Sequence, residues 1–115
     1  MWPDERWQQI APNRAVAFID GAAAGLIGWH PSEQAEATIE VVSVWVDPRH
    51  RGTGVADALM QHALGACGPS TIELGVVESN RRALRFYERF GFVAYGRVMG
   101  TRTGDPIIRM RFAHR

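Results

Sequence analysis

The 115-residue sequence predicts an α/β (α+β) domain: a mixed, mostly antiparallel central sheet flanked by helices. Three observations carry this. Strand and helix patterns alternate in the order β-β-β-α-β-α-β-β, the mark of a layered sheet-and-helix fold. Two strand–helix–strand passages require crossovers, and the hairpin-like pairs at either end require antiparallel neighbours. The segment 37–46 (ATIEVVSVWV) is β-branched or aromatic almost throughout, which reads as a central strand covered on both faces.

The elements follow in order. Residues 1–13 form a leader before a domain at 14–115. Trp2, Trp7 and Ile10 stand there in a polar background, and a short helix over 4–10, ended before Pro12, is expected. Arg14–Ile19 and Ala24–Trp29 flank Asp20-Gly21, a hairpin signal. Residues 31–36 (PSEQAE) are a polar loop. After Gly54 the apolar positions 55, 56, 59, 60, 63 and 64 keep helical spacing to about Ala66, with Gly65 or Gly68-Pro69 as the stop. Thr71–Val77 is a strand in or beside the centre of the sheet. Asn80 can cap a helix over 81–90 that Gly91 closes. Phe92–Met99 and Ile107–Phe112 are strands joined through Gly104, Asp105 and Pro106.

Composition limits the function classes. With 46% hydrophobic and 22% charged residues, the chain suits one globular domain with one core. No apolar stretch approaches a membrane span, and the first residues lack a basic-then-apolar signal. One cysteine, Cys67, allows no internal disulfide and fits a reducing compartment, so a cytoplasmic protein is expected. Residues 1–80 carry four Arg and ten acids, net −6; residues 81–115 carry nine Arg and two acids, net +7. That division suits a polyanionic ligand held mainly against the later half. Nucleic acid is a weaker fit, because no zinc-finger, helix-turn-helix or basic-zipper pattern is present.

The chemistry gathers in residues 44–59 (VWVDPRHRGTGVADAL). Val44, Trp45 and Val46 favour a strand, and Pro48 ends its ladder. Gly52 and Gly54 permit a tight turn at a helix start, where unpaired N–H groups and the positive dipole end attract anions. Arg49 and Arg51 add charge, and Arg51 can fork onto phosphate oxygens. On this stretch alone, a phosphate loop and an ordinary turn before a surface helix stand level. A nucleoside-triphosphate loop is excluded by the missing Lys-Ser/Thr pair, and a dinucleotide fingerprint by its glycine spacing.

One crossover later comes NRRALRFYERFGF, residues 80–92. Arg51, Gly54 and Ala56, in the pattern Arg-x-x-Gly-x-Ala, followed by Asn80, Ala83, Tyr87 and Gly91-Phe92, resemble the GNAT superfamily of acetyl-coenzyme A-dependent N-acetyltransferases. The resemblance covers residues 14–112. It implies the acyl-coenzyme A N-acyltransferase fold, here lacking the family's first strand and helices, which form much of the acceptor wall. It implies acetyl-CoA as cosubstrate and a small-molecule or peptide amine as acceptor.

By position, the backbone N–H groups of Arg51, Gly52, Thr53, Gly54, Val55 and Ala56 would hold the pyrophosphate. Val44, Trp45 and Val46 would pair with the pantetheine arm and face the thioester oxygen. Asn80 would bond the pantetheine arm or a nearby water, and Arg82 and Arg85 would meet the ribose phosphate or adenine end. Tyr87 would protonate the departing thiolate. Glu40, eleven residues before Arg51, stands where relatives often carry a catalytic glutamate and would be the base, with a water chain as the alternative. A homodimer formed through the exposed sheet edge is expected, which a solution mass measurement tests.

Blander readings stay beside these. Tyr87 and Trp45 also suit a core, Asn80 a helix cap, and Arg82 and Arg85 a solvated helix face. Cys67 has no activating partner. His30, His50, His62 and His114 have no metal spacing, although His50 lies in the loop. A non-catalytic acetyl-CoA-binding or sensing subunit is the second functional reading, and a nucleic-acid module the third.

Overall fold

The computed structural model describes residues 7–11, 13–33, 35–101 and 104–113. Its first element differs from the expected helix. Residues 4–6 lie outside the described residues, but Trp7–Ala11 is a strand (β1), antiparallel to Arg14–Ile19 (β2). A helix this short is marginal in water, whereas an unpaired sheet edge offers a full ladder of partners. The sheet edge thus carries a strand ahead of β2, and only two residues separate them, leaving no room for helices between.

The hairpin from β2 to Ala22–Pro31 (β3) turns on Asp20 and Gly21, both at positive φ (51° and 81°), as a two-residue hairpin turn requires. Thr38–Val46 (β4) pairs antiparallel with β3. After a single 3₁₀ turn at Pro48–His50 comes helix Val55–Cys67 (α1), then strand Thr71–Val77 (β5) and helix Arg81–Phe90 (α2). Phe92–Met99 (β6) and Pro106–Phe112 (β7) close the chain as an antiparallel pair. The described strands form one sheet in the order β1-β2-β3-β4-β5-β7-β6. Only β4 and β5 are parallel neighbours, because β7 inserts between β5 and β6.

One core lies on the helix face of the sheet. Val55, Leu59, Met60, Ala63 and Cys67 form the buried stripe of α1, which packs on β3, β2 and β4. Each fully buried Val, Leu or Met side chain there contributes about 1.5–3 kcal/mol. Ile72, Leu74 and Val76 of β5, Phe92 of β6 and Met110 of β7 join the same core. On α2, Leu84, Tyr87 and Phe90 pack half-buried against it, and Arg89 forks onto Asp57 of α1 at 3.0 and 2.9 Å. Gly65 sits in α1 with open space around its Cα. Gly65→Ala is therefore expected to raise stability by about 0.5–1 kcal/mol in chemical denaturation.

The opposite face carries no described helix. Strand alternation sends Glu73, Gly75 and Val77 there, away from Ile72, Leu74 and Val76. Val42 is 51% exposed and Trp45 44%, so β4 is central in the sheet but not covered on both faces. Val42 is the extra residue of a bulge, since Val41 pairs with Trp29 and Ser43 with Gly28, and Trp45 lies on the face that no described helix covers. The ladder between β4 and β5 is short. It pairs only Thr38–Glu40 with Thr71–Glu73 and then stops, and past Glu40 the two strands part. A uniformly β-favouring sequence announces a strand but not where its neighbour leaves it.

Candidate active site

The end of β4 at Val44 and Val46, the loop before α1, the first turn of α1 and the helix α2 border a cleft of about 860 Å³. The loop is shaped by its own side chains. Asp47 ends β4 with its N–H bonded to the Ala24 carbonyl at 2.8 Å. Its carboxylate accepts the Arg49 backbone N–H at 2.9 Å and the Arg49 guanidinium at 3.2 and 2.9 Å. Those bonds hold the Asp47 carboxyl down at about 2, so the turn keeps this anchor at any pH above the ordinary carboxylate range.

Within the loop the amides divide. Arg51 N–H donates to the Pro48 carbonyl and Thr53 N–H to the His50 carbonyl, and the Thr53 hydroxyl donates to the same His50 oxygen. These two backbone N–H groups brace the turn and are not offered to a ligand, whereas the Arg51 side chain lines the cleft. The N–H groups of Gly52, Gly54, Val55 and Ala56 have no protein acceptor among the described residues. Gly54 is the α1 N-cap at φ 91°, with no side-chain cap, so the helix opens on bare amides.

Asn80 begins α2, its Oδ1 accepting the Ala83 N–H at 3.2 Å. The acceptor of its amide is thus spent on the cap, which leaves its NH₂ group to face a ligand. Asn80→Ala is expected to cost about 1 kcal/mol of stability. Asn80→Asp keeps the acceptor and should keep the stability; an equal loss in both variants would contradict the cap.

Tyr87 lies seven residues after Asn80, two turns along the same helix face, or about 10 Å. Its ring packs edge-on against Phe86 (5.3 Å between centroids) and Phe92 (5.8 Å). Burial pushes its phenol above the ordinary value of 10.0, and its hydroxyl has no protein hydrogen-bond partner among the described residues. A protonated, unpartnered hydroxyl in a cleft is a proton donor waiting for an acceptor.

The structure brings together most of the expected site. Val44, Val46, Arg51, Gly52, Gly54, Ala56, Asn80, Arg82, Arg85 and Tyr87 all line the cleft. The side chain of Val55 does not, being 1% exposed in the core. Trp45 alternates to the other sheet face. Phe86 and the Asp57–Arg89 pair were not anticipated as lining residues, although positions 82, 86 and 89 share one face of α2 and Phe86 and Arg89 could have been found from Arg82 by spacing. His50, weighed as a loop histidine, also lines it.

Glu40 is placed elsewhere. Both its oxygens accept from the Arg109 guanidinium at 2.7 Å, on the sheet face away from the helices. Arg109 also reaches Glu73 (3.4 Å) and Tyr95 (3.3 Å), and Arg111 binds Glu73 at 2.9 Å. Burial pushes Glu73 up, but hydrogen bonds from Tyr95, Arg111 and Arg109 outweigh it and leave the carboxyl below its ordinary value. Both Glu40 oxygens are engaged by this fork, and Glu40 is not among the residues that line the cleft.

The charge asymmetry resolves in the same way. Arg89, Arg97, Arg109 and Arg111 of the basic later half pair with Asp57, Glu78, Glu40 and Glu73 of the acidic earlier half. Four of the nine arginines of the later half are thereby neutralised, which narrows the expected anion surface to the start of α2. Arg51, Arg82 and Arg85 take part in no salt bridge among the described residues, and all three line the cleft. Among those residues there is no group of three or more His, Cys, Asp or Glu able to hold a metal, and no helix long and apolar enough to cross a membrane.

Comparison with known proteins bears on this geometry. The family model described as "Acetyltransferase (GNAT) family" matches residues 1–92. The chain is 40% identical over 95 residues to a mycothiol acetyltransferase of Gordonia bronchialis, a match covering 74% of this chain and 31% of that protein. It spans less than two thirds of the first curated relatives it matches, 58% of an uncharacterized N-acetyltransferase of Mycobacterium bovis at 38% identity over 80% of this chain. Among solved structures, nourseothricin acetyltransferase superposes with a TM-score of 0.76 at 30% identity, over 86% of this chain and 63% of that one.

Proposed function

The chain belongs to the acetyltransferase (GNAT) family, and from that premise we propose that it transfers an acetyl group from acetyl-CoA to the primary amine of a small molecule or peptide. One juxtaposition carries the reading. The unpaired amides of Gly52, Gly54 and Ala56, the arginines outside any salt bridge and the unpartnered Tyr87 hydroxyl all border one cleft. A pyrophosphate fits the amides and Arg51, since a helix N-terminus and a guanidinium both favour its charge. Arg82 and Arg85 then take the phosphate of the nucleotide end. Val44 to Val46, past the end of the β4–β5 ladder, can take an extended amide arm as an added strand.

The chemistry follows from what borders this space. The thioester supplies an activated acyl carbon. The amine lone pair forms the new C–N bond, and backbone N–H groups near Val44 to Val46 stabilise the oxyanion. The C–S bond breaks, and the thiolate takes the Tyr87 proton. Among the described residues, Asp57 is the one carboxylate lining the cleft, and it is paired with Arg89. The amine therefore releases its proton to water, and the phenolate recovers one from solvent. The products are the N-acetylated amine and free coenzyme A thiol.

The experiment is a thiol-release assay against a panel of amines, in which release must depend on the amine. The absence of an unpaired carboxylate from the cleft lining favours a second reading, a non-catalytic acetyl-CoA-binding subunit. It predicts saturable binding with no turnover on any amine. Three uncompensated arginines also predict salt sensitivity: calorimetry should show acetyl-CoA affinity falling on the order of tenfold between about 50 and about 500 mM salt.

A further inference from the structure

The ion pair between Arg109 and Glu40 does something that neither an exposed pair nor a catalytic carboxylate would do. Arg109 stands on β7, directly opposite Gly75 of β5, and Glu40 stands on β4 on the far side of β5. The side chain must cross an entire intervening strand, roughly 10 Å from backbone to backbone at the usual strand spacing. Gly75 makes the crossing possible. A Cβ there would lie 2.9 Å from Ile107 Cγ2, closer than side-chain contacts allow, and 3.1 Å from Arg109 Nη1, tight enough to displace the guanidinium. Glu73 and Tyr95 hold the guanidinium from beneath. Glu40 is also the last residue of β4 that pairs with β5. The clasp therefore closes at the point where the two strands part.

We propose that Arg109 is a positioning residue of the transfer: by holding Glu40 across Gly75 it fixes how far β4 and β5 diverge, and so the spacing between the β4 edge at Val44–Val46 and Tyr87. The proposal rests on the acetyltransferase reading for its kinetic consequence, but not for its structural one. Glu40 is the anchor of the clasp. The coenzyme's phosphates are held elsewhere, by the loop before α1, so loosening the clasp moves the acyl end of the donor without releasing it.

The test compares Glu40→Gln, Arg109→Met, the double variant and Arg109→Lys. With an amine from the panel, each of the first two should lower kcat about tenfold, as expected for misplaced reacting groups. The KM for acetyl-CoA should stay within about threefold, and the double variant should match the singles within about twofold, because both remove one interaction. Arg109→Lys, which keeps the charge but not the fork, should recover part of the loss. If Glu40 were a base, Glu40→Gln would abolish the acid limb of the pH–rate profile, whereas Arg109→Met would free the carboxylate and leave kcat unchanged or raised. That pattern overturns the proposal.

A second readout needs no turnover. With 5-fluorotryptophan in the protein, the ¹⁹F resonance of Trp45, assigned by Trp45→Phe, should move alike in Glu40→Gln, Arg109→Met and Gly75→Ala without coenzyme. Movement of that resonance in a protein that acetylates no amine would uphold the clasp and sink the enzymatic reading. An unmoved resonance with unchanged kcat would sink the clasp alone. Variants that lose melting temperature but keep kcat and the resonance would show a structural pair only, and would equally overturn the proposal.

Discussion

Tyr87→Phe is expected to lower kcat by about 10²–10³-fold while leaving the KM for acetyl-CoA nearly unchanged. A positioned general acid contributes on the order of 10²–10⁴ in rate. The ring itself is held by Phe86 and Phe92, so the phenylalanine keeps its place and only the proton is lost. The pH dependence has a definite sign. Burial raises the Tyr87 phenol above 10.0. The proton is therefore in place below that value, including the range where the acceptor amine becomes neutral, and it is lost only as pH rises through the raised value. The wild-type rate should rise with the acceptor's own deprotonation and fall at strongly alkaline pH; the phenylalanine variant should lack the alkaline fall. Stopped-time thiol assays across pH measure both. A variant with unchanged kcat would remove Tyr87 from the chemistry and return it to the core.

Gly54→Val is the second large effect. Gly54 sits at φ 91° and ψ 1°, in the left-handed region, and nothing lies within 4 Å of where a Cβ would be. The cost is therefore backbone strain rather than a clash, about 1–3 kcal/mol for a β-branched residue held there. The chain can relieve the strain only by rotating Gly54, which turns the amides at the start of α1 away from the cleft. Acetyl-CoA affinity should fall at least about tenfold, or about 1.4 kcal/mol, with a measurable loss of stability. Gly65→Ala, in the same helix but away from the loop, should leave the affinity unchanged. Equal affinities for Gly54→Val and wild type would mean that the loop does not hold the phosphates.

Much of this architecture was legible locally. Arg14–Ile19, Thr71–Val77 and the Asn80-capped helix 81–90 stand where the sequence placed them, because hairpin chemistry, β-branching and capping are written in neighbouring residues. The loop from Arg51 stood level with an ordinary turn until its resemblance, together with Asn80 and Tyr87, to the acetyltransferase family brought the candidate cleft into view. What escaped was non-local. Trp7–Ala11 is a strand because β2 has an open edge, a fact that its own residues do not state. The parting of β4 from β5 is invisible in a segment that is β-favouring from end to end. The tie between Glu40 and Arg109 joins residues 69 apart, so Glu40 looked free when read by position, and all nine arginines of the later half looked available when four of them were spent on acids of the earlier half.

The central claim is that this cleft holds an acyl-coenzyme A with its phosphates on the loop and its acyl arm along β4. The most direct measurement is a titration of the ¹⁵N-labelled chain with acetyl-CoA, followed by amide shifts. The account predicts saturable changes concentrated at Val44–Val46, at Gly52 and Gly54–Ala56, and along α2 from Ala83 to Tyr87. No change at millimolar coenzyme, or changes confined to Arg97, Arg109 and Arg111 on the outer strands, would contradict it.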